Sequence, residues 1–463
     1  MPAMTGRVAG TLVAQSEARV YPLLFAFLFL PYVYFNHSDG WNQGARLAQL
    51  HAVVLKRTLQ IDAYHQITGD KAQINGHYYS EKAPAMSLAA LPAFATTVAV
   101  QVLLGIDPDG QPGWRVSEWI ATAGSVAVLA AAGGVAFFSL MRRQVGATAA
   151  LAATAGWFLG TITLPYATAL FAHAGTIGLL CIVLWSVFEP WSVTRRRDVV
   201  GGLAAGFAIA SEYPAVFPIA VLGLYLVLKD FRRAFRFGVA MVPGVALILL
   251  VNMLTTGNPL KLAYGSNTMF PEINASNLFG FTVPNSRAAL GLLWGEYRGL
   301  FFWSPVLLLA IPGLVALARW NWAHAAVVVA GAAMVLLQAS SFSGWTGGNA
   351  VGPRYLAPAI PLLGIAAAHG IKQFPKATAV LLVLSIALMG MVTAVAIDPP
   401  SEVARPLRDY YFARIQQDRW VTNLGMLAGL SPMASLSALA GAMLPVGWLA
   451  WHYRHLPVED EAA

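Results

Sequence analysis

Nine consecutive residues, Gly76-His77-Tyr78-Tyr79-Ser80-Glu81-Lys82-Ala83-Pro84, close a long polar segment where a hydrophobic run begins. A cation fixed at such a water–lipid boundary can hold the phosphate of a membrane-embedded lipid, which makes Lys82 a candidate phosphate ligand and Glu81 its orienting neighbour. Two further boundaries repeat the pattern. Arg354 follows the glycine-rich segment 340–355 and is flanked by Trp345 and Tyr355, while Arg298 ends the run Glu296-Tyr297-Arg298-Gly299. An arginine there can clamp phosphate through two parallel hydrogen bonds, or it can snorkel beside a Trp/Tyr anchor. Two arginines and Lys82, all at boundaries expected to share one face, favour the phosphate site.

The segment 36–83 is rich in ionisable side chains: Asp39, Arg46, Lys56, Arg57, Asp62, Asp70, Lys71, His77, Glu81 and Lys82. Within it, 44–59 carries apolar residues at Leu47, Leu50, Val54 and Leu55, with Arg46, Lys56 and Arg57 on other faces. That pattern predicts an amphipathic helix lying on the membrane surface, with a plain solvated lid as the alternative. His173 and Glu212 stand at the edges of apolar blocks, where ionisable groups are costly and tend to be functional. A helix-packing role for His173 is an equal alternative. A divalent metal held by His77, His173 and a carboxylate stays open, although no local ligand spacing supports it and no cofactor is assigned. The chain has no Walker loop, dinucleotide fingerprint or hydrolase elbow.

The elements that must position these residues are membrane helices. Of 463 residues, 57% are hydrophobic and 11% charged, against roughly 25% charged in soluble domains. Apolar blocks near 20–35, 84–106, 116–140, 147–165, 170–190, 199–228, 238–255, 299–318, 323–340, 356–371, 377–397 and 425–451 approach the ~20 residues that span a bilayer. Glu212-Tyr213-Pro214 divides the block 199–228, so twelve or thirteen spans are expected in an all-α polytopic protein. The block 21–35 is expected to be an uncleaved first span rather than a signal peptide. The net charge of +8 lies mostly in short loops, at Arg142-Arg143, Arg195-Arg196-Arg197, Lys229 to Arg236, Arg319, and Lys372 with Lys376. These loops are expected to face the cytoplasm, which explains the charge without nucleic acid. Loops 36–83, 256–298, 340–355 and 398–424 then fall on the opposite side. Two blocks lie between loop 36–83 and Arg142 where an odd number of crossings is needed; one block is re-entrant or hides two short crossings. The lone Cys181 excludes a disulfide framework.

In their order and placement these motifs resemble the GT-C membrane glycosyltransferases of bacteria, in particular relatives of glycosyltransferase family 39. Beyond 76–84, the resemblance rests on Leu164-Pro165-Tyr166-Ala167-Thr168 with Phe171 and His173, and on Glu212-Tyr213-Pro214. It also rests on Tyr297 to Pro305 and on Trp345-Thr346-Gly347-Gly348 to Tyr355-Leu356. It implies a polytopic transferase moving a sugar from a polyprenyl-phosphate carrier to a lipid, glycan or protein acceptor at the outer face of the cytoplasmic membrane, with inversion. It further implies that Lys82 contacts the lipid phosphate and that a first-loop aspartate is the base. The family's acidic pair is replaced here by Ser38-Asp39-Gly40-Trp41-Asn42-Gln43. Asp39 is therefore the first candidate, with Asp62 and Asp70 as competitors. Arg46, His77, Tyr79, Glu81, His173, Glu212, Arg298, Trp345, Arg354 and Tyr355 are the expected substrate contacts. A flippase for lipid-linked sugars would need paired charges within spans and two related halves, neither of which the sequence offers. A non-catalytic subunit that binds lipid phosphate is the remaining alternative.

Overall fold

The computed structural model describes residues 19–38, 40–188, 194–270 and 280–453. Among these the protein is helical, apart from one antiparallel hairpin and isolated bridges. Six helices are long and apolar enough to cross a membrane: Ala85–Leu103, Gly113–Val145, Phe231–Thr256, Trp322–Ser341, Pro375–Val395 and Pro432–His452. Shorter apolar helices, including Arg19–Tyr34, Ala147–Leu159 and Ala172–Phe188, fill the bundle between them.

The burial pattern sorts the helices into centre and rim. Ala172–Phe188 is apolar on every side and buried along almost its whole length, as a central helix must be. Phe231–Thr256 instead exposes Val239, Val242, Leu250, Met253 and Leu254. In water that stripe would be a liability, whereas against lipid it is the ordinary outer surface. Close packing behind it uses small residues. Gly206 on Arg195–Ser211 packs so closely that a Cβ on it would strike the Met241 backbone, and a Cβ on Gly244 would strike that of Gly206.

At Glu212 the backbone leaves the helix Arg195–Ser211 with extended geometry, and a 3₁₀ turn, Tyr213–Ala215, starts the next helix. Pro214 has no N–H to continue the first helix, so the polar bend sits at the end of one helix and the start of another.

The first long loop folds into a helix, Trp41–Lys56, and a hairpin, Lys71–Ile74 paired with His77–Ser80. Asn75-Gly76 makes the two-residue turn, both residues at positive φ (52° and 87°), as such a turn requires. The helix begins before the expected 44–59 and ends at Lys56, where Arg57 takes a left-handed conformation. It does not simply float on the surface: Gln43, Arg46, Leu47, Leu50 and His51 are all buried against the bundle.

Ala85–Leu103 starts and finishes beside this same helix. At its start Lys82 pairs with Asp70, whose charge reaches Arg46. Just beyond its end, Asp109 lies 3.0 Å from His51 Nδ1 and accepts from Tyr64, and Trp114 stacks on His51 at 3.8 Å. Gln101 donates to the Gly113 carbonyl at 2.8 Å and accepts from Ser117, closing an antiparallel helical hairpin with Gly113–Val145. Residues at both ends of Ala85–Leu103 thus lie against or near the one helix Trp41–Lys56. The single run Gly113–Val145 then carries the chain on to Arg142.

Candidate active site

Lys82 sits in the short link between the hairpin and Ala85–Leu103, where two carboxylates fix it. Its Nζ is 2.8 Å from Asp70 Oδ2 and 2.8 Å from Glu81 Oε1. Asp70 opens the hairpin, held by its N–H to Thr68 Oγ1, and Thr68 in turn donates to the Trp41 carbonyl. Burial opposes the Lys82 ammonium, but Asp70 and Glu81 outweigh it and hold its pKa above the ordinary lysine value. Burial pushes the Glu81 carboxyl up, against the pull of Lys82. Asn267 donates a short hydrogen bond to the second Glu81 oxygen. The Asn267 Oδ1 caps the N–H groups of Met269 and Phe270, and its backbone bridges Ala72 on the hairpin. A loop nearly two hundred positions downstream thus locks Glu81.

Around this trio lie two further cations. Arg46 is only 2% exposed; its Nη1 donates to Asn42, while Nε has no partner. Burial lowers its pKa to about 10, against the opposing pull of Glu212 and Asp70, so it stays charged at neutral pH. Arg354 begins the turn Arg354–Ala359 with its guanidinium 5.8 Å from the Phe171 ring centroid and 5.3 Å from that of Tyr355, and its Nε is also buried without a partner. Gly347, at φ 77°, makes room: a Cβ there would press on the Arg354 side chain. His173 Nδ1 lies 2.6 Å from Glu212 Oε1, with Tyr166 edge-on to its ring. Arg46 and Arg354 both act on His173, and Asp70 acts on both arginines. Arg46, Asp70, Glu81, Lys82, His173, Glu212 and Arg354 therefore form one electrostatic neighbourhood.

The other expected contacts have partners of their own. Arg298 is buried and spent on backbone: Nε donates to the Thr346 carbonyl at 2.6 Å, Nη2 to Gly348 at 2.7 Å and Nη1 to Tyr297 at 3.2 Å. It organises the glycine-rich loop, with its guanidinium donating to three carbonyls. Asp62 and His77 pair at 2.7 Å on the exposed face of the hairpin, and Asp62 also accepts the Tyr78 N–H at 2.6 Å. They clamp the hairpin, and neither is linked to Lys82. Tyr79 packs against Ala72 and Ile74. Trp345 is half-buried over Gly291, and Tyr355 stands beside Arg354 with its ring edge-on to Phe342. Asp39 lies outside the described residues. Its neighbour His37 donates its N–H to the Thr168 carbonyl and contacts Thr168 Oγ1 at 2.7 Å, on the segment leading to His173. Among the described residues no group of three or more His, Cys, Asp or Glu is arranged to hold a metal.

No family model matches the chain. GPI mannosyltransferase 3 of Yarrowia lipolytica (strain CLIB 122 / E 150) is 26% identical over 272 residues, covering 58% of this chain. The chain spans 50% of the length of that curated relative. Among solved structures, ArnT from Cupriavidus metallidurans bound to undecaprenyl phosphate superposes with a TM-score of 0.49 at 17% identity, covering 96% of this chain and 75% of its own. The apo form of ArnT gives 0.48 at 19% identity, over 98% and 78%. The curated relative is by name a mannosyltransferase, in keeping with the resemblance to GT-C glycosyltransferases carried by the motifs.

Proposed function

We propose that this multi-pass membrane protein is a glycosyltransferase that takes a sugar from a polyprenyl-phosphate donor and transfers it to a lipid, glycan or protein acceptor at the outer face of the cytoplasmic membrane. The observation that carries the reading is the enclosed cationic set Lys82, Arg46 and Arg354, two of whose members keep buried N–H groups without partners. Buried polar groups in a finished structure are nearly always satisfied, so orphaned donors beside a lysine suit an anionic, oxygen-rich ligand. The outer-face reading rests on the basic loops at Arg142-Arg143, Arg195-Arg196-Arg197 and Lys229 to Arg236, which favour the cytoplasmic side.

In this reaction an acceptor oxygen attacks the anomeric carbon as the bond from that carbon to the phosphate oxygen breaks. The electron pair leaves on the phosphate. Lys82 offers that oxygen the N–H not engaged by Asp70 and Glu81, and Arg46 and Arg354 add positive charge in a water-poor site where it acts strongly. A single displacement of this kind inverts the anomeric centre. The mannosyltransferase relative supports the reaction class.

The test is purified protein in vesicles supplied with labelled polyprenyl-phosphate sugars and extracted membrane acceptors. Transfer of label by the wild type and its loss in Lys82→Ala are expected. Movement of label across the bilayer with no new bond would overturn the reading in favour of a flippase, and neither activity would favour a binding subunit.

A further inference from the structure

The chain holds a second buried acid–base pair outside the phosphate-binding set. His173 is the second residue of the central helix Ala172–Phe188, and Glu212 stands at the bend after Arg195–Ser211. They meet at 2.6 Å through Nδ1 and Oε1, with side chains 5% and 13% exposed. Neither ring nitrogen has an aligned hydrogen-bond partner: Nδ1 has only the close ion-pair contact with Glu212, and Nε2 is buried with nothing beside it. Tyr166 at 5.1 Å and Phe171 at 5.5 Å wall the ring on the 163–171 side. A carboxylate this close to one imidazole nitrogen stabilises the imidazolium and leaves the other nitrogen to accept a proton.

We propose that His173, oriented by Glu212, is the base that takes the proton from the acceptor hydroxyl. This rests on the glycosyl-transfer reading and names the acceptor side of that same site. As the acceptor oxygen bonds to the anomeric carbon, its proton passes to His173 Nε2. The bond from that carbon to the phosphate oxygen breaks, and its electron pair leaves on the phosphate beside Lys82. Glu212 stabilises the imidazolium, which later returns its proton to the departing phosphate or to water. The charged and titratable groups facing the imidazole are Glu212, Arg354 from the Arg354–Ala359 turn, Arg46 from Trp41–Lys56, and Tyr166. The two arginines present positive charge toward the ring, and Glu212 balances the imidazolium once the proton arrives. Glu212 is thus a positioning residue acting through His173.

The experiment measures kcat, donor affinity and the pH–rate profile of wild type, His173→Gln, Glu212→Gln, Glu212→Asp and Asp39→Asn in vesicles with labelled polyprenyl-phosphate sugar. The expected result for His173→Gln is a fall in kcat of about 100-fold or more, the usual contribution of a general base, with donor affinity nearly unchanged and the acidic limb of the profile gone. Glu212→Gln should move the acidic limb to lower pH, because the carboxylate that favours the imidazolium is lost, and Glu212→Asp should restore part of the rate. Full turnover by His173→Gln, an unmoved limb in Glu212→Gln, or disappearance of the limb in Asp39→Asn while His173→Gln keeps it, would each overturn the assignment. In those cases continued transfer by the wild type and loss in Lys82→Ala leave the transfer reading standing. A wild type that transfers nothing would overturn both.

Discussion

The first loop contains two pairs of a carboxylate with a nitrogen side chain, Asp62 with His77 and Asp70 with Lys82, in opposite surroundings. Asp62 and His77 meet at 2.7 Å with side chains 41% and 49% exposed, whereas Asp70 and Lys82 meet at 2.8 Å with side chains 13% and 16% exposed. Distance does not separate them; solvent does. Water screens the first pair and leaves it a modest clamp on the hairpin. The second is wrapped by the hairpin, by Trp41–Lys56 and by the loop that carries Asn267, so its charges act over the neighbouring Arg46 and Arg354. A carboxylate and a cation at hydrogen-bonding distance are thus a site only where the surroundings keep water away.

The sharpest break of this contrast is Lys82→Ala. Removing a cation from the position of the leaving phosphate is expected to lower the transfer rate about 100- to 1,000-fold, as deleting one preorganised charge-stabilising donor typically does. Arg298→Ala comes next, through the fold rather than the chemistry. It leaves the carbonyls of Thr346, Gly348 and Tyr297 without their donor, a loss on the order of 3 kcal/mol read as lower thermal stability in detergent. Asn267→Ala removes the short hydrogen bond that fixes Glu81; a loss of about 1–2 kcal/mol, roughly a ten-fold drop in transfer, is expected with folding retained. Asp62→Asn should cost at most about 1 kcal/mol of stability and leave transfer unchanged within error.

The two pairs also separate by pH. Lys82 is held above its ordinary value, so its stabilising contribution is complete below that value and lost only as pH rises through the higher folded one. Its loss belongs to strongly alkaline solution. Burial opposes the Asp62 carboxylate, but the Tyr78 N–H and His77 outweigh it and lower its pKa. That contribution is present above the ordinary aspartate value and fades as pH falls through the folded one. A stability scan should therefore show wild type above Asp62→Asn at neutral pH, with the two converging at the acid end.

Much of this was legible in the sequence, for stated physical reasons. Lys82, Arg354, His173 and Glu212 stand where polar and apolar composition meet, and a charge there needs a partner or a ligand. Asp70 was one of three acidic candidates in its loop, and only the fold separates it from Asp62. Arg298 had the same boundary signature as Arg354 but different partners, because sequence gives the position of a guanidinium and not the carbonyls that take its hydrogens. Asn267 carried no signal, being a single amide in a loop brought to Glu81 by tertiary folding. The contact of His51 with Asp109, which ties the residues just past Ala85–Leu103 to the first-loop helix, carried no signal in the sequence.

The most direct test of the phosphate-binding set is the affinity of sugar-free polyprenyl phosphate for the reconstituted protein, compared among wild type, Lys82→Ala and Asp62→Asn. Binding at least about ten-fold weaker in Lys82→Ala, equivalent to about 1.4 kcal/mol, with Asp62→Asn unchanged, is the predicted result. Equal affinity for wild type and Lys82→Ala would contradict the assignment.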